Sequence, residues 1–270
     1  MKTSSSISPK LRLGVFKFAS CDGCQLSLLS CEDELLGIAE RVEIVHFLEA
    51  SSMIGEGPFD LALVEGSITT AHDVERIRDI RRQSKKLVTI GACATAGGIQ
   101  ALRNWADHRD FIAAVYATPQ YIKTLATSTP IADHVTVDFE LRGCPIDRKQ
   151  LIEVLVAHCN HRKPRTPQHS VCMECKRRGT ICIAVTRSLP CLGPVTQAGC
   201  GAICPAYDRA CYGCFGLSAQ ANCQPMAEHY MANGTTDTQM IHALRNMNAA
   251  AALFQIESDR IEARTEKSKS

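Results

Sequence analysis

Fifteen of the 270 residues are cysteine, and their spacing points to chemistry more than their number does. Cys21 and Cys24 form a Cys-x-x-Cys within Phe18–Cys24. The pair lies between an apolar run, Leu11 to Phe16, that reads as a buried strand and Gln25 to Ala39, which reads as a helix. A turn of that kind leaves two thiols at the exposed end of a sheet, beside helix amides that favour negative charge. Cys93, in Gly91-Ala92-Cys93, and Cys144, in Gly143-Cys144-Pro145, also follow expected strands. Each has a glycine within two residues, which lets backbone approach a bulky inorganic core. These four cysteines are expected to close around one iron–sulfur cluster.

Nine further cysteines fall between 172 and 223. Cys172, Cys175, Cys182 and Cys191 run C-x2-C-x6-C-x8-C, and Cys200, Cys204, Cys211 and Cys214 run C-x3-C-x6-C-x2-C. Each set supplies the four thiolates of a cubane cluster. A tetrahedral zinc site takes the same ligands, and the Cys-Pro pairs at 204–205 and 144–145 lean toward clusters. An odd cysteine count forbids complete internal pairing, and metal ligation is favoured over a disulfide framework. Cys31, inside a predicted helix, and Cys159, ending another, read as small buried hydrophobes. Cys223 ranks behind the second four as an alternate ligand.

The elements that must position these thiols alternate. Strands are expected at Leu11–Phe16, Val42–Phe47, Asp60–Val64, Leu87–Ile90 and Val135–Phe139. Helices are expected at Gln25–Ala39, His72–Ser84, Asp110–Leu125 or part of it, and Asp147–His158. Near-continuous apolar strands between helices predict an α/β fold, a flavodoxin-like parallel sheet covered on both faces. Its ligand crevice lies at the carboxyl ends of the strands, where Cys21, Cys93 and Cys144 meet. The organisation expected is a flexible tail at 1–10, the sheet domain at 11–160 and a linker at 161–171. A small irregular iron–sulfur domain with a C-terminal helix follows at 172–256, then a charged, frayed tail at 257–270. The cysteine-dense segment looks too poor in apolar residues to build a core, which leaves metal to hold it together.

Bulk properties exclude several classes. A net charge of +2 and 5% aromatic residues give neither a polyelectrolyte surface nor base-stacking platforms for nucleic acid. No apolar run reaches the roughly 20 residues of a membrane helix, and the Ser-rich start carries no apolar leader or twin arginine, so a cytoplasmic location is expected. Lys176, Arg177 and Arg178 follow Cys175 and read as a solvated basic loop or a docking face. Glu65 reads as a polar strand end with a lesser claim to partner or proton contact. His169 reads as an exposed linker residue rather than an accessory ligand. His46, His72 and His134 fit no ligand spacing.

The runs Lys17–Leu29, Val64-Glu65-Gly66-Ser67, Ile90–Gly98 and Gly143-Cys144-Pro145-Ile146 together resemble the small subunits of nickel–iron hydrogenases. The resemblance spans roughly residues 11–215. It implies no catalytic residue on this chain. Instead it implies a proximal 4Fe–4S cluster on Cys21, Cys24, Cys93 and Cys144, facing a large subunit that carries the nickel–iron site. Medial ligands are then Cys200, Cys204, Cys211 and Cys214, and distal ligands Cys172, Cys175, Cys182 and Cys191. Cys172 stands where exported members have a histidine, and Cys204 supplies a fourth medial thiolate, which favours three 4Fe–4S clusters. These departures resemble the soluble nicotinamide-linked branch, the sulfhydrogenase type, and imply flavin and iron–sulfur diaphorase partners that reduce NADP or NAD. The alternatives are a small subunit serving F420 or another acceptor, and, from a different class, a zinc-stabilised flavodoxin-like scaffold without redox work. Against a flavin in the first loop stands its lack of a Ser/Thr-Gly nest for a phosphate.

Overall fold

A computed structural model describes residues 10–267; the N-terminal tail expected at 1–10 falls, but for Lys10, outside the described residues. Five parallel strands, β1 (Leu11–Lys17), β2 (Val42–Phe47), β3 (Phe59–Glu65), β4 (Ser84–Ile90) and β5 (Phe139–Leu141), form one sheet in the order β2-β1-β3-β4-β5. Alternation across the pleat sorts the central strands into two cores. Leu61 and Leu63 of β3 join Leu13, Val15, Val88 and Ile90 on one face. Ala62 and Val64 face the other way, with Phe16 and Leu87. The first face is covered by α1 (Gly23–Leu29) and α6 (Arg148–Cys159) through Leu28, Leu151, Val154 and Leu155. The second is covered by α3 (Ala71–Gln83) through Ile77 and Ile80. Thr70 and Asp73 close a capping box that fixes where α3 starts. This is the doubly covered parallel sheet the strand composition implies.

Three element boundaries differ from expectation. The helix expected at Gln25–Ala39 is two, α1 and α2 (Glu32–Ile38). The break falls where Arg148 donates to the Ser30 carbonyl at 2.7 Å, while the Ser30 hydroxyl and the Cys31 thiol bond back to Leu26 and Ser27 carbonyls. The last strand begins at Phe139 rather than Val135, because Asp138 spends its carboxylate on the Leu87 amide at 2.9 Å and on Lys86 and Arg81. The third helix is only α5 (His108–Val115), with Pro119 shortly after its end. It carries no buried side chain, and Phe111 and Val115 are exposed. Between α3 and α5, α4 (Gly91–Ala96) is a single short turn directly after β4.

The second half overturns two expectations. Its cysteine-rich loops do pack on an apolar core: Val171, Leu192 and Val195 meet Tyr230, Met240, Leu244, Phe254 and Ile261. Most of that core comes from three helices beyond the cysteine cluster, α10 (Cys223–Ala232), α11 (Asp237–Leu244) and α12 (Ala252–Lys267). Between α6 and α10 lie α7 (Val171–Arg178) and two single turns, α8 (Ile183–Thr186) and α9 (Ile203–Ala206). The charged tail expected from Glu257 onward is instead the body of α12, helical to Lys267 with Glu257, Ser258 and Ile261 buried. Most of its charges are paired. Arg245 pairs with Asp259 and Glu262 and lies 4.7 Å over the Trp105 ring, and Trp105 donates to Asp259 at 2.7 Å. These contacts strap α12 to the turn that follows the Cys93 loop.

A frayed tail and a core helix respond differently to truncation of one side chain. Ile261→Ala is expected to lower the unfolding free energy by about 2–5 kcal/mol in a denaturant titration. Arg264→Ala, at a half-exposed ion pair with Asp237, is expected to cost about 1 kcal/mol or less.

Candidate iron–sulfur centres

The first group forms because three loops at the carboxyl ends of β1, β4 and β5 turn toward each other. Cys21 and Cys24 lie at the start of α1, Cys93 on α4 and Cys144 after β5. The Ala92 amide donates to the Gly143 carbonyl at 2.8 Å, which locks the second loop to the third. Gly91 has φ +85° and packs so tightly that a Cβ there would stand 2.4 Å from Cys24 Sγ. A side chain would therefore fill the space beside the thiol as well as strain the turn. The Ile146 amide donates to the Cys24 sulfur. Cys93 lies 3.8 Å from Gln100 Oε1, and the Gln100 amide nitrogen reaches the Ala19 carbonyl and Ser67 Oγ.

Cys24, Cys93 and Cys144 each feel neighbouring thiols. Burial pushes Cys24 up strongly, with Glu65, Cys93 and Cys144 adding to it. Burial also raises Cys93 to about 11, with contributions from Cys144 and Cys21, and raises Cys144, with a contribution from Cys21. Such a set favours a cation in its midst, since a coordinating metal strips the proton from a thiol outright. Glu65 is more than a polar strand end. It is 2% exposed, and its two oxygens accept the Cys24 and Gln25 amides at 3.0 and 3.2 Å. Burial holds its carboxyl above the usual range, while those amides pull it down.

The second half brings together two more complete groups. Cys172 and Cys175 sit on α7. Burial raises both, Cys175 to about 11, with Cys191 and Cys182 contributing to each. A Cβ on Gly193 would lie 3.4 Å from Cys191 Sγ and 3.5 Å from Cys172 Sγ, so bare backbone faces both sulfurs. In the other group burial raises Cys200, with Cys204 contributing, and raises Cys214 to about 12, with Cys200 and Cys204 contributing. Cys211 is pushed up by burial with Cys214 nearby. The Ala202 and Ile203 backbone lies beside the Cys200 sulfur, and the Gly213 amide lies 3.5 Å from Cys211 Sγ.

The Cys200–Cys214 group touches both others. The Cys144 backbone lies beside the Cys214 sulfur, and the Cys211 amide donates to Cys191 Sγ at 3.2 Å. The remaining cysteines stand apart in role. Cys31 and Cys223 are buried in the two apolar cores, and Cys159 packs against the first. His169 is half-buried rather than exposed, with Nε2 buried and unpartnered. His46 stacks on Phe16, and His134 bonds to Thr129. Two acidic residues had no spacing signal: Glu65, and Glu174, whose carboxylate accepts the Gly199 and Ala202 amides. Only an acidic residue at a strand end and another inside a Cys-x-x-Cys marked them.

A flavodoxin-like sheet with cysteines gathered on its carboxyl rim, followed by further cysteine-bearing loops, defines an iron–sulfur oxidoreductase subunit. The chain belongs to the family described as NADH ubiquinone oxidoreductase, 20 Kd subunit, which matches residues 21–158, and within it to the small subunits of nickel–iron hydrogenases. It is 37% identical over 218 residues to Sulfhydrogenase 2 subunit delta of Pyrococcus furiosus, covering 81% of this chain and 91% of that one. It is 32% identical over 246 residues to an F420-non-reducing hydrogenase vhu subunit of Methanocaldococcus jannaschii, covering 78% and 83%. Among solved structures it resembles a chain of an NAD+-reducing [NiFe]-hydrogenase in the H2-reduced state, with 29% identity and a TM-score of 0.54. That likeness covers 59% of this chain and 96% of the other. A [NiFeSe]-hydrogenase of Dm. baculatum shares the fold at 18% identity and a TM-score of 0.54, over 77% of this chain. Hydrogenase small subunits bind iron–sulfur clusters and pair with a large subunit. No helix among the described residues is long and apolar enough to cross a membrane.

The Gly91 contact gives a direct test of the first group. Gly91→Ala is expected to remove about four iron and four acid-labile sulfide per chain from anaerobically purified protein. Cys31→Ala, a buried thiol outside the groups, is expected to leave both unchanged.

Proposed function

We propose that this chain is the electron-transfer small subunit of a nickel–iron hydrogenase with three 4Fe–4S clusters. Cys21, Cys24, Cys93 and Cys144 hold the proximal one, Cys200, Cys204, Cys211 and Cys214 the medial, and Cys172, Cys175, Cys182 and Cys191 the distal. When bound, the clusters supply one-electron redox chemistry between the nickel–iron site of the large subunit and an acceptor subunit. The observation that carries this reading is the serial proximity of the three cysteine groups. The middle one is hydrogen-bonded to the distal group through the Cys211 amide and Cys191 Sγ and lies beside Cys144 of the proximal group through Cys214. Each thiolate of a cubane binds its own iron, so four sulfurs need not converge on one ion. Among the described residues, no three His, Cys, Asp or Glu side chains do.

The chain's own residues set the rest. Backbone amides aimed at sulfur and the burial of the thiols tune the potentials. Cys21 and Cys144 are exposed at the proximal end, and Cys182 at the distal end. Around Cys182 stand exposed Ile181 and Val185, with the exposed cations Lys176 and Arg177 beyond. We assign the acceptor as a flavin and iron–sulfur diaphorase-type subunit that reduces NAD(P), in a cytoplasmic complex; the likeness to a chain of an NAD+-reducing [NiFe]-hydrogenase supports the nicotinamide acceptor. The NAD+-reducing neighbour is matched almost whole by 59% of this chain, so the remainder has no counterpart there. That difference and the F420-non-reducing relatives favour, as a second reading, hydrogenases that serve another acceptor.

The test is iron, sulfide, zinc and nickel per chain in the anaerobically purified complex, followed by hydrogen. About twelve iron and twelve sulfide are expected on this chain, with visible absorbance that hydrogen bleaches. About two zinc with little iron would leave a zinc-bound scaffold and sink the relay. The acceptor subunit that co-purifies decides between NAD(P) and the second reading. K176E/R177E is expected to slow reduction of that acceptor several-fold and to flatten its dependence on ionic strength, with viologen reduction unchanged.

A further inference from the structure

The Cys-x-x-Cys on α7 encloses a residue that ligation does not explain. Glu174 stands immediately before Cys175, half-buried, and its carboxylate leaves its own helix. Oε1 accepts the Gly199 amide at 3.0 Å, and Oε2 accepts the Ala202 amide at 3.2 Å. Oε2 also lies 4.0 Å from Cys200 Sγ. The two amides bracket Cys200 and Gly201, so one side chain from the helix of the distal group holds the loop that carries a medial ligand. From the last turn of the same helix, Arg178 donates to the Gly201 carbonyl at 2.9 Å. The carboxylate and the guanidinium thus clasp the loop from two sides. Ala202 sits at φ +51°, a left-handed conformation that a residue with a Cβ keeps only when its surroundings hold it.

We propose that Glu174 is a positioning residue for the medial centre. It fixes the Cys200 loop against α7 and places a negative charge beside a medial ligand. The inference rests on the three-cluster reading above. A carboxylate next to a ligating sulfur opposes the arrival of an electron, so it lowers the reduction potential of the centre it adjoins. It also couples two centres mechanically, because Glu174 lies between two distal ligands and grips the backbone around a medial one.

The test uses the anaerobically purified complex with Glu174→Gln, Glu174→Asp and Arg178→Ala, compared by iron content and by EPR-monitored redox titration. The signal altered by Cys204→Ser marks the medial centre. Glu174→Gln keeps the side-chain volume but loses the charge and one acceptor oxygen. It is expected to move the medial signal to higher potential and change its line shape, with the proximal signal unmoved. Glu174→Asp restores the charge and is expected to return the potential toward wild type. Should Glu174→Gln shed about four iron while Glu174→Asp retains them, the positioning role stands. Wild-type potentials and line shapes in Glu174→Gln, or equal loss of iron from Glu174→Gln and Glu174→Asp with none from Arg178→Ala, would overturn it. A wild-type complex without three reducible cluster signals would instead refute the relay, a result separable from any behaviour of Glu174.

Discussion

Buried thiols resist ionisation, and buried thiolates repel one another; the surroundings of the cysteines are arranged about that constraint. Burial is the largest cause raising Cys24, Cys93, Cys175, Cys200, Cys211 and Cys214, and neighbouring sulfurs add to it in each case. Two things offset the penalty. One is the charge of a bound metal centre. The other is already in place as backbone beside sulfur: Ile146 at Cys24, Cys144 at Cys214, Cys211 at Cys191, and Ala202 and Ile203 at Cys200. Backbone cannot be held there without fixing its loop, so tight turns at the strand ends and Gly91, pressed against Cys24, follow from the same demand.

The sheet meets that demand for the first group through topology. In the order β2-β1-β3-β4-β5 every strand points the same way. Loops after β1, β4 and β5 therefore emerge on one rim although their cysteines are spread along the chain from Cys21 to Cys144. Glu65, at the end of β3 on that rim, adds a group of the same sign as the thiolates and raises Cys24, Cys93 and Cys144. Its buried carboxylate takes the Cys24 and Gln25 amides and so orders the first loop from within the sheet. The second half has no sheet to lean on. Its loops are held by α10, α11 and α12, and Tyr230 donates to the Cys191 carbonyl at 3.0 Å.

How much of this was legible in the sequence depended on whether the signal was local. Strand Val42–Phe47 was readable to the residue although it is an edge strand with Glu43 and Ile44 exposed; β1 and β3 were nearly so, because central strands buried on both faces are continuous apolar runs. The candidate cysteine groups rest on spacing in the second half and on strand-end position in the first. What escaped was set by partners distant in the chain. The break at Ser30 depends on Arg148, 118 residues away. The order of residues 257–267 depends on Arg245 and Trp105, which turn a charged run into a packed helix. Glu174 was hidden for the same reason: its partners are the Gly199 and Ala202 amides, and a backbone amide leaves no mark in a sequence.

Contact between the groups determines how a disturbance in one reaches the next. In both contacts, the backbone that meets a sulfur of the adjoining group belongs to a cysteine that is itself a candidate ligand, Cys144 beside Cys214 and Cys211 bonded to Cys191. A displacement of one ligand thereby reaches the next group through the ligand's own backbone. Exposure follows the same line. Cys21, Cys144 and Cys182 are exposed, whereas Cys200, Cys204, Cys211 and Cys214 are half-buried or buried. Under the proposed relay, solvent and partners reach the two ends while the middle is shielded. Small molecules are thus kept from draining electrons between the ends. An arrangement of this kind suits a conductor between two proteins better than an enzyme that meets its substrate in the middle.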